Sequence, residues 1–316
     1  MDVLGTLRRD LVDQMEAVGG RHDEEAIYCG EPGDPGLAGG PDSISWEING
    51  DIGVIGAAGG AAIIMEVLHP SVMAGVYTQS SYRTKPLLRA QNTLGYVLRT
   101  TFGSTPAATG VIERVRRVHS RVNGVRPDGV PYEALDPTLI GWVHTCIPWA
   151  VMTAYERHRR PLSVDEKNRY LTEQAVIGRM GGADWVPETT DELDEFVERI
   201  RPSLAMNEQT HDFIRFLAEG SIEGSSPGRR ERYERWMGLR GSMSLMPEWA
   251  RTLTGLGHST PGAQRLSDVL ETWKAGVAHW ACPVLPCVEL ATERALGVPM
   301  ADDVAPRAAA LAGRSL

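Results

Sequence analysis

The residue in this chain best suited to holding a metal is a histidine on the inner face of an amphipathic stretch. Over 108–122 the apolar residues Ala108, Val111, Ile112, Val115, Val118 and Val122 recur at the i, i+3, i+4, i+7 spacing of a helix with one buried face. His119 follows Val115 by four residues and falls inside that stripe. Arg116 lies at its edge, and Arg117 points to solvent. A buried imidazole is either hydrogen-bonded, the commoner outcome, or it binds a metal through its neutral ring nitrogen. No second ligand stands near it in sequence, so a metal here would have to bring most of its own ligands, as haem iron does.

Other groups could share such a site. His69 and His144 also occupy apolar helical surroundings, His69 just before a proline and so at a helix end, where a structural hydrogen bond is the plainer role. Glu66 and His69, on or beside a buried helix, are the candidates for handling a proton. Arg89 and Thr93 share a helix face at i, i+4 together with Tyr96 and Val97, with Leu87, Leu94 and Leu98 on the opposite side. That pair is either solvated or faces an internal cavity. The run Arg114, Arg116, Arg117 and Arg121 is an ordinary solvated face unless one or two of its members meet the carboxylates of a cofactor. The remaining histidines, His22, His158, His211, His258 and His279, have polar neighbours or lie near element ends.

The elements that must position these groups read as helices. An amphipathic helix is expected over 3–18, followed by a Gly/Pro/Asp-dense loop over 29–43. A buried helix follows over about 54–68, whose Gly56, Ala57, Gly59, Gly60 and Ala61 would admit a second backbone or a flat ligand. This cluster is not a dinucleotide-binding glycine loop. Pro86 starts a helix to about 101, and the turn Asn123–Gly129 ends the His119 helix. An apolar helix spans about 137–157, with Pro148 expected to kink it. Ser163-Val164-Asp165-Glu166 and Thr189-Thr190-Asp191-Glu192 are capping boxes that open helices to about 180 and 201. Helices at about 207–219, 230–238, 246–254, 262–274 and 285–295 complete the chain. Convincing strands and 20–50-residue repeats are both missing. The fold class is all-α, divided as 1–44 (helix and loop), 45–220 (central domain) and 221–316 (helical extension packed on the same core).

Composition narrows the functions. The 316 residues carry a net charge of −9 and a pI near 5.4, which disfavours nucleic acid and anionic membrane as partners. Cys29, Cys146, Cys282 and Cys287 have no zinc-site spacing, and no C-x-x-C-H occurs, so a haem would be held without covalent attachment. Arg8-Arg9 is not followed by an apolar run, and the longest apolar stretch, Ile52 to Met65, is too short to span a bilayer. A cytoplasmic protein is the expectation.

Several stretches resemble, in order and spacing, the rubber oxygenase or latex-clearing protein family with its MpaB-type haem oxygenases. They are Met65-Glu66-Val67-Leu68-His69-Pro70-Ser71-Val72-Met73-Ala74-Gly75-Val76, Arg89-Ala90-Gln91-Asn92-Thr93, Phe102-Gly103, and Arg116-Arg117-Val118-His119-Ser120-Arg121-Val122-Asn123-Gly124. Asp128-Gly129-Val130-Pro131-Tyr132, Asp136-Pro137, Trp142-Val143-His144 and Arg169-Tyr170-Leu171-Thr172-Glu173 follow. The resemblance covers about 45–218. It implies a globin-like helical core around haem b, with additional helices at the C-terminus. It implies that His119 is the proximal iron ligand, that Arg89 and Thr93 lie in the haem pocket, and that Arg116 is the arginine of R-x-x-H. His144 joins the expected cofactor-binding set. Latex-clearing proteins carry a lysine just before the threonine, whereas Asn92 stands here, which with the missing export signal puts rubber in doubt as substrate.

The resulting expectation is a bacterial, intracellular haem-dependent oxygenase or oxidase in specialised metabolism. It would use dioxygen or peroxide to cleave, hydroxylate, desaturate or couple a small, mostly apolar or aromatic molecule. A non-catalytic haem sensor or carrier is the alternative, and a helical scaffold without haem a third. Trp236, Trp249, Trp273 and Trp280 in the extension are expected mostly in the core, or else at a substrate wall or a homodimer interface.

Overall fold

The structure, a computed structural model, describes residues 25–220, 228–256 and 260–297. Its order is α1 (Glu25–Tyr28), α2 (Ile44–Asn49), α3 (Ile52–Val67), α4 (Pro70–Gln79), α5 (Pro86–Phe102), α6 (Thr105–His119), β1 (Asn123–Val125), β2 (Pro131–Glu133) and α7 (Pro137–His158). Then come α8 (Val164–Gly181), α9 (Thr190–Ile200), α10 (Glu208–Glu219), α11 (Arg229–Leu245), α12 (Glu248–Thr254), α13 (Pro261–Ala281) and α14 (Pro286–Leu296). The expected all-α class holds among the described residues, apart from one two-stranded hairpin in which Gly124 pairs with Tyr132. The expected helix over 3–18 lies outside the described residues, as do His22 and His258.

The α3–α7 pair forms the centre. Ala58 and Ala61 on α3 and Ala150 and Ala154 on α7 are fully buried, and such small side chains let two helix axes approach closely. Trp142 of α7 crosses to α3, where its Nε1 donates to the Glu66 carbonyl at 3.2 Å. Asp51 caps α3 by accepting from Val54 N at 3.1 Å. The same carboxylate is gripped by Arg159 at the end of α7, and Arg159 also donates to Ala275 O of α13 at 2.8 Å. One charged knot thus ties the start of α3 and the end of α7 to the flank of α13.

The small residues of α3 divide into two groups. Gly53 and Gly60 admit neighbours: a Cβ at Gly53 would stand 2.5 Å from Ala275 O, and one at Gly60 would collide with Ser242 of α11. Among the described residues a Cβ at Gly56 or Gly59 would meet nothing. No described helix is by itself long and apolar enough to cross a membrane, and α3 meets α4 at a bend of 108°. His69 makes that bend: Pro70 begins a new helix, and His69 Nδ1 accepts from Ser71 N at 3.2 Å.

Motif residues turn out to be structural as well. Ser163 and Glu166 form the reciprocal capping box. Glu173 of α8 caps α2 by accepting from Ser45 N at 2.8 Å, and Tyr170 donates to Asn49 Oδ1 at 2.9 Å. Tyr132 seats the hairpin on α4 through its hydroxyl, 3.0 Å from Thr78 Oγ1. Three expectations are corrected. Val118 is 58% exposed rather than buried, and Trp236, Trp273 and Trp280 are exposed rather than in the core. His158, expected in polar surroundings, is buried with its Nδ1 2.9 Å from Thr272 Oγ1.

Candidate active site

Three helices bring one titratable group each to a shared space. α6 buries Ala108 and Ile112. His119 lies about 20° around the helix from Ile112, so its ring continues that inner face. At the helix end it is half-buried, and no described residue hydrogen-bonds the ring. Burial lowers the His119 pKa, and the positive charge of Arg89 lowers it further, so the imidazole is neutral.

Arg89 comes from α5, where it shares a face with Thr93 and Tyr96. The Thr93 hydroxyl donates to Arg89 O at 3.1 Å and accepts from the Arg89 guanidinium, which fixes the direction of the arginine. Tyr96 is half-exposed as a residue, but burial of its phenol raises its pKa to about 12. Asn92 is exposed on the same side of α5, about 40° around the helix from Tyr96.

Glu66 is the third member. It is 5% exposed on the last turn of α3, and no described residue hydrogen-bonds its carboxyl. Burial pushes its pKa up to about 7, against the pull of Arg89. The negative charge of Glu66 adds to burial in raising the pKa of Cys146 on α7. Arg89 therefore acts on Glu66 and His119 together, and Trp142 and Cys146, one turn apart on α7, flank Glu66.

Other expected site residues stand apart. His69 is neutral, with its pKa lowered to about 4 by burial and by Arg126, and its Nδ1 is engaged in capping α4. Its electrostatic neighbours are Arg126 and Asp136, not Arg89. Arg116 is exposed and reaches Met180 O at 3.5 Å, at the end of α8. His144 points at α8, about 160° around α7 from Trp142 and Cys146. It hydrogen-bonds the backbone of Gln174 and packs on Gly178, and burial lowers its pKa to about 4. Its Nε2 has no partner. The apolar surroundings that suggested a cofactor ligand are thus the α7–α8 packing seam. A Cβ at Gly178 would lie 2.5 Å from the His144 ring and 2.8 Å from Val186. Gly178→Ala is expected to cost about 1–3 kcal/mol, read as a lowered thermal midpoint.

The donor set bears on which metal centre could fit. Among the described residues no three His, Cys, Asp or Glu side chains gather as a metal site. Iron held at His119 would need its other ligands from outside the protein, which a porphyrin would bring. A neutral imidazole facing inward without a hydrogen bond, beside a fixed guanidinium that can meet a carboxylate, fits that group.

The family described as ER-bound oxygenase mpaB/B'/Rubber oxygenase, catalytic domain, matches residues 46–280, more than half of the chain. The chain belongs to this family. No curated protein and no solved structure matches significantly. As a member of the mpaB/rubber oxygenase family, the protein is an oxygenase-type enzyme. The matched span contains α3 and α5–α7 whole, and so every residue of the Glu66–Arg89–His119 group. Within the family's motif stretches, reasoning from sequence identified these three residues. It had no signal for Cys146, which looks in sequence like any buried thiol.

Proposed function

We propose that the chain is a b-type haem-dependent oxygenase that acts on a small, mostly apolar or aromatic molecule in specialised metabolism, with His119 as the iron ligand. The observation that carries the reading is the inward, neutral His119 ring that no described residue hydrogen-bonds, placed beside Arg89 in an oxygenase family. Haem, when bound, would supply activation of dioxygen or peroxide. The protein's own residues do the rest. His119 offers a nitrogen lone pair because its neighbours keep it unprotonated. Arg89, held by Thr93, presents a fixed cation to a carboxylate such as a propionate. Glu66, with a pKa of about 7, can give or accept a proton at a carboxyl oxygen near neutral pH. Trp142 and the buried walls of α3 and α7 keep water away. The compartment we propose is the cytoplasm, with neither nucleic acid nor membrane as partner.

Absorption spectra of wild type and His119→Ala, ferric and ferrous, test the reading. A Soret band in wild type, lost or strongly shifted in the variant, is expected. Absence of a Soret band even after haem is added would overturn it.

A further inference from the structure

α13 packs on its neighbours by one side. Asp268 pairs with Arg157 of α7 at 2.9 Å, and Thr272 Oγ1 lies 2.9 Å from His158 Nδ1. Glu271 lies against Gly241 of α11, and the backbone of Ala275 against Gly53 of α3. At 100° per residue these four fall within about 100° of one another around the helix. A second line, centred about 130° further round, carries Gly262, Leu266, Val269, Trp273, Gly276 and Trp280 within about 80°. Val269 is 65% exposed and Trp273 67%, and Leu266 and Trp280 are exposed with them. A Cβ at Gly262 or Gly276 would meet nothing among the described residues. Steps of four and three residues alternate along this line, the period of a helix that pairs lengthwise with another helix. A continuous apolar line of this kind on a surface marks an interaction site.

We infer that a second copy of the chain covers it: two α13 helices run antiparallel about a two-fold axis at the level of Glu271. The sequence sets the register. Such an axis places residue 262 against 280 of the second copy, 266 against 276 and 269 against 273, so each of the six meets another of the six. Every layer then joins a large side chain to a small one: Trp280 to glycine, Leu266 to glycine, Trp273 to valine. That alternation lets facing side chains interdigitate. A parallel pair would set Trp273 on Trp273 and Gly276 on Gly276, a collision beside a void. The flanking positions are Arg265, Leu270, Thr272, Val277 and His279, so no carboxylate of a chain with net charge −9 faces its own copy there. The six residues with the half-buried Leu270 and Val277, from both copies, offer on the order of 1,000 Å² for burial, the least that a specific interface needs.

Sedimentation equilibrium of the full chain, from nanomolar to high micromolar concentration, tests the pairing. Wild type is expected to be a dimer that dissociates on dilution, and Trp273→Glu a monomer. Val269→Trp enlarges the apolar surface yet sets Trp against Trp, and should raise the dimer Kd by about thirtyfold or more. Adding Trp273→Val rebuilds the layer with its members exchanged, and should bring the Kd back to within about tenfold of wild type. Both side chains are exposed within one copy, so all four proteins should melt alike where wild type is monomeric. A wild type that is monomeric throughout would overturn the inference. A dimer indifferent to residue 273 would overturn it by placing the interface elsewhere. A dimer strengthened by Val269→Trp would do the same, because an unspecific apolar face gains from added area. A double variant that stays as weak as Val269→Trp would overturn the antiparallel register. None of these outcomes depends on a Soret band, so the interface and the haem reading stand or fall separately.

Discussion

Above pH 7, Glu66→Gln will be more stable than wild type by up to about 3 kcal/mol, and near pH 4.5 the two will melt alike. The carboxyl has its ordinary pKa of 4.5 in the unfolded chain and about 7 in the folded one, chiefly because burial penalises the anion. Between those values the folded protein binds more protons than the unfolded. Stability is therefore fully present below pH 4.5 and is lost as pH rises through 7. Each pKa unit is worth about 1.4 kcal/mol. Glutamine keeps the shape and removes the titration. Thermal midpoints of the two proteins from pH 4.5 to 8.5 check this, and a difference that stays flat with pH would mean that Arg89 holds Glu66 ionised. His69 and His144 work in the opposite sense. With pKa values lowered to about 4, they contribute stability above pH 6.5 that is lost as pH falls through 4. Where the limbs overlap the two histidines outweigh the one carboxyl, so wild type should be most stable near pH 6.5.

Arg294→Ala will destabilise the fold by about 3 kcal/mol or more, one of the largest losses available to a single substitution here. The side chain is 1% exposed on α14. Its guanidinium donates to three carbonyls far away in sequence: Tyr28 O at 2.6 Å, Asp34 O at 2.9 Å and Phe102 O at 2.9 Å. Truncation takes this donor from two buried carbonyls and one half-buried one, at about 1–3 kcal/mol each where no relaxation intervenes. A Cβ at Gly30 or Gly36 would press on this guanidinium or its stem, so the loop is shaped around it. Arg294→Lys should recover little, because one ammonium cannot reproduce a planar fork on three acceptors. Arg294→Met separates volume from hydrogen bonding, and urea denaturation should find it nearly as unstable as alanine. A methionine variant as stable as wild type would show that desolvation of the guanidinium had cancelled its bonds.

Much of this molecule is legible in its sequence because caps and periodicity are local signals. Ser163 and Glu166 mark α8, Pro86 and Pro137 sit at helix starts, and each of these signals resolves into an observed element. His119 was placed on the inner face by the same arithmetic, although the true inner line runs through Ala108 and Ile112 and leaves Val118 outside. What the sequence could not show is which apolar face meets which partner. His144 looks like a ligand until α8 lies against it, and His69-Pro70 reads as an end when it is also the beginning of α4. The exposed Trp236, Trp273 and Trp280 carry no mark in sequence that separates them from core tryptophans. Glu66 was found by position, but its electrical link to Arg89 depends on two helices meeting across 23 residues of chain.

The Arg294 contacts draw attention to where a family ends and where a fold does. The matched span stops at 46 and 280, whereas the arginine and two of its three acceptors lie beyond those limits. Asp34, in the loop that Arg294 grips, also accepts from Thr105 N at 2.7 Å and from Thr105 Oγ1 at 2.6 Å. Those bonds cap the start of α6, the helix whose other end carries His119. A protein trimmed to the shared span would keep every residue of the candidate pocket and lose the anchorage of the helix that aims its histidine. Homology alone would place the scissors at the one seam that the two flanks of the chain cooperate to close.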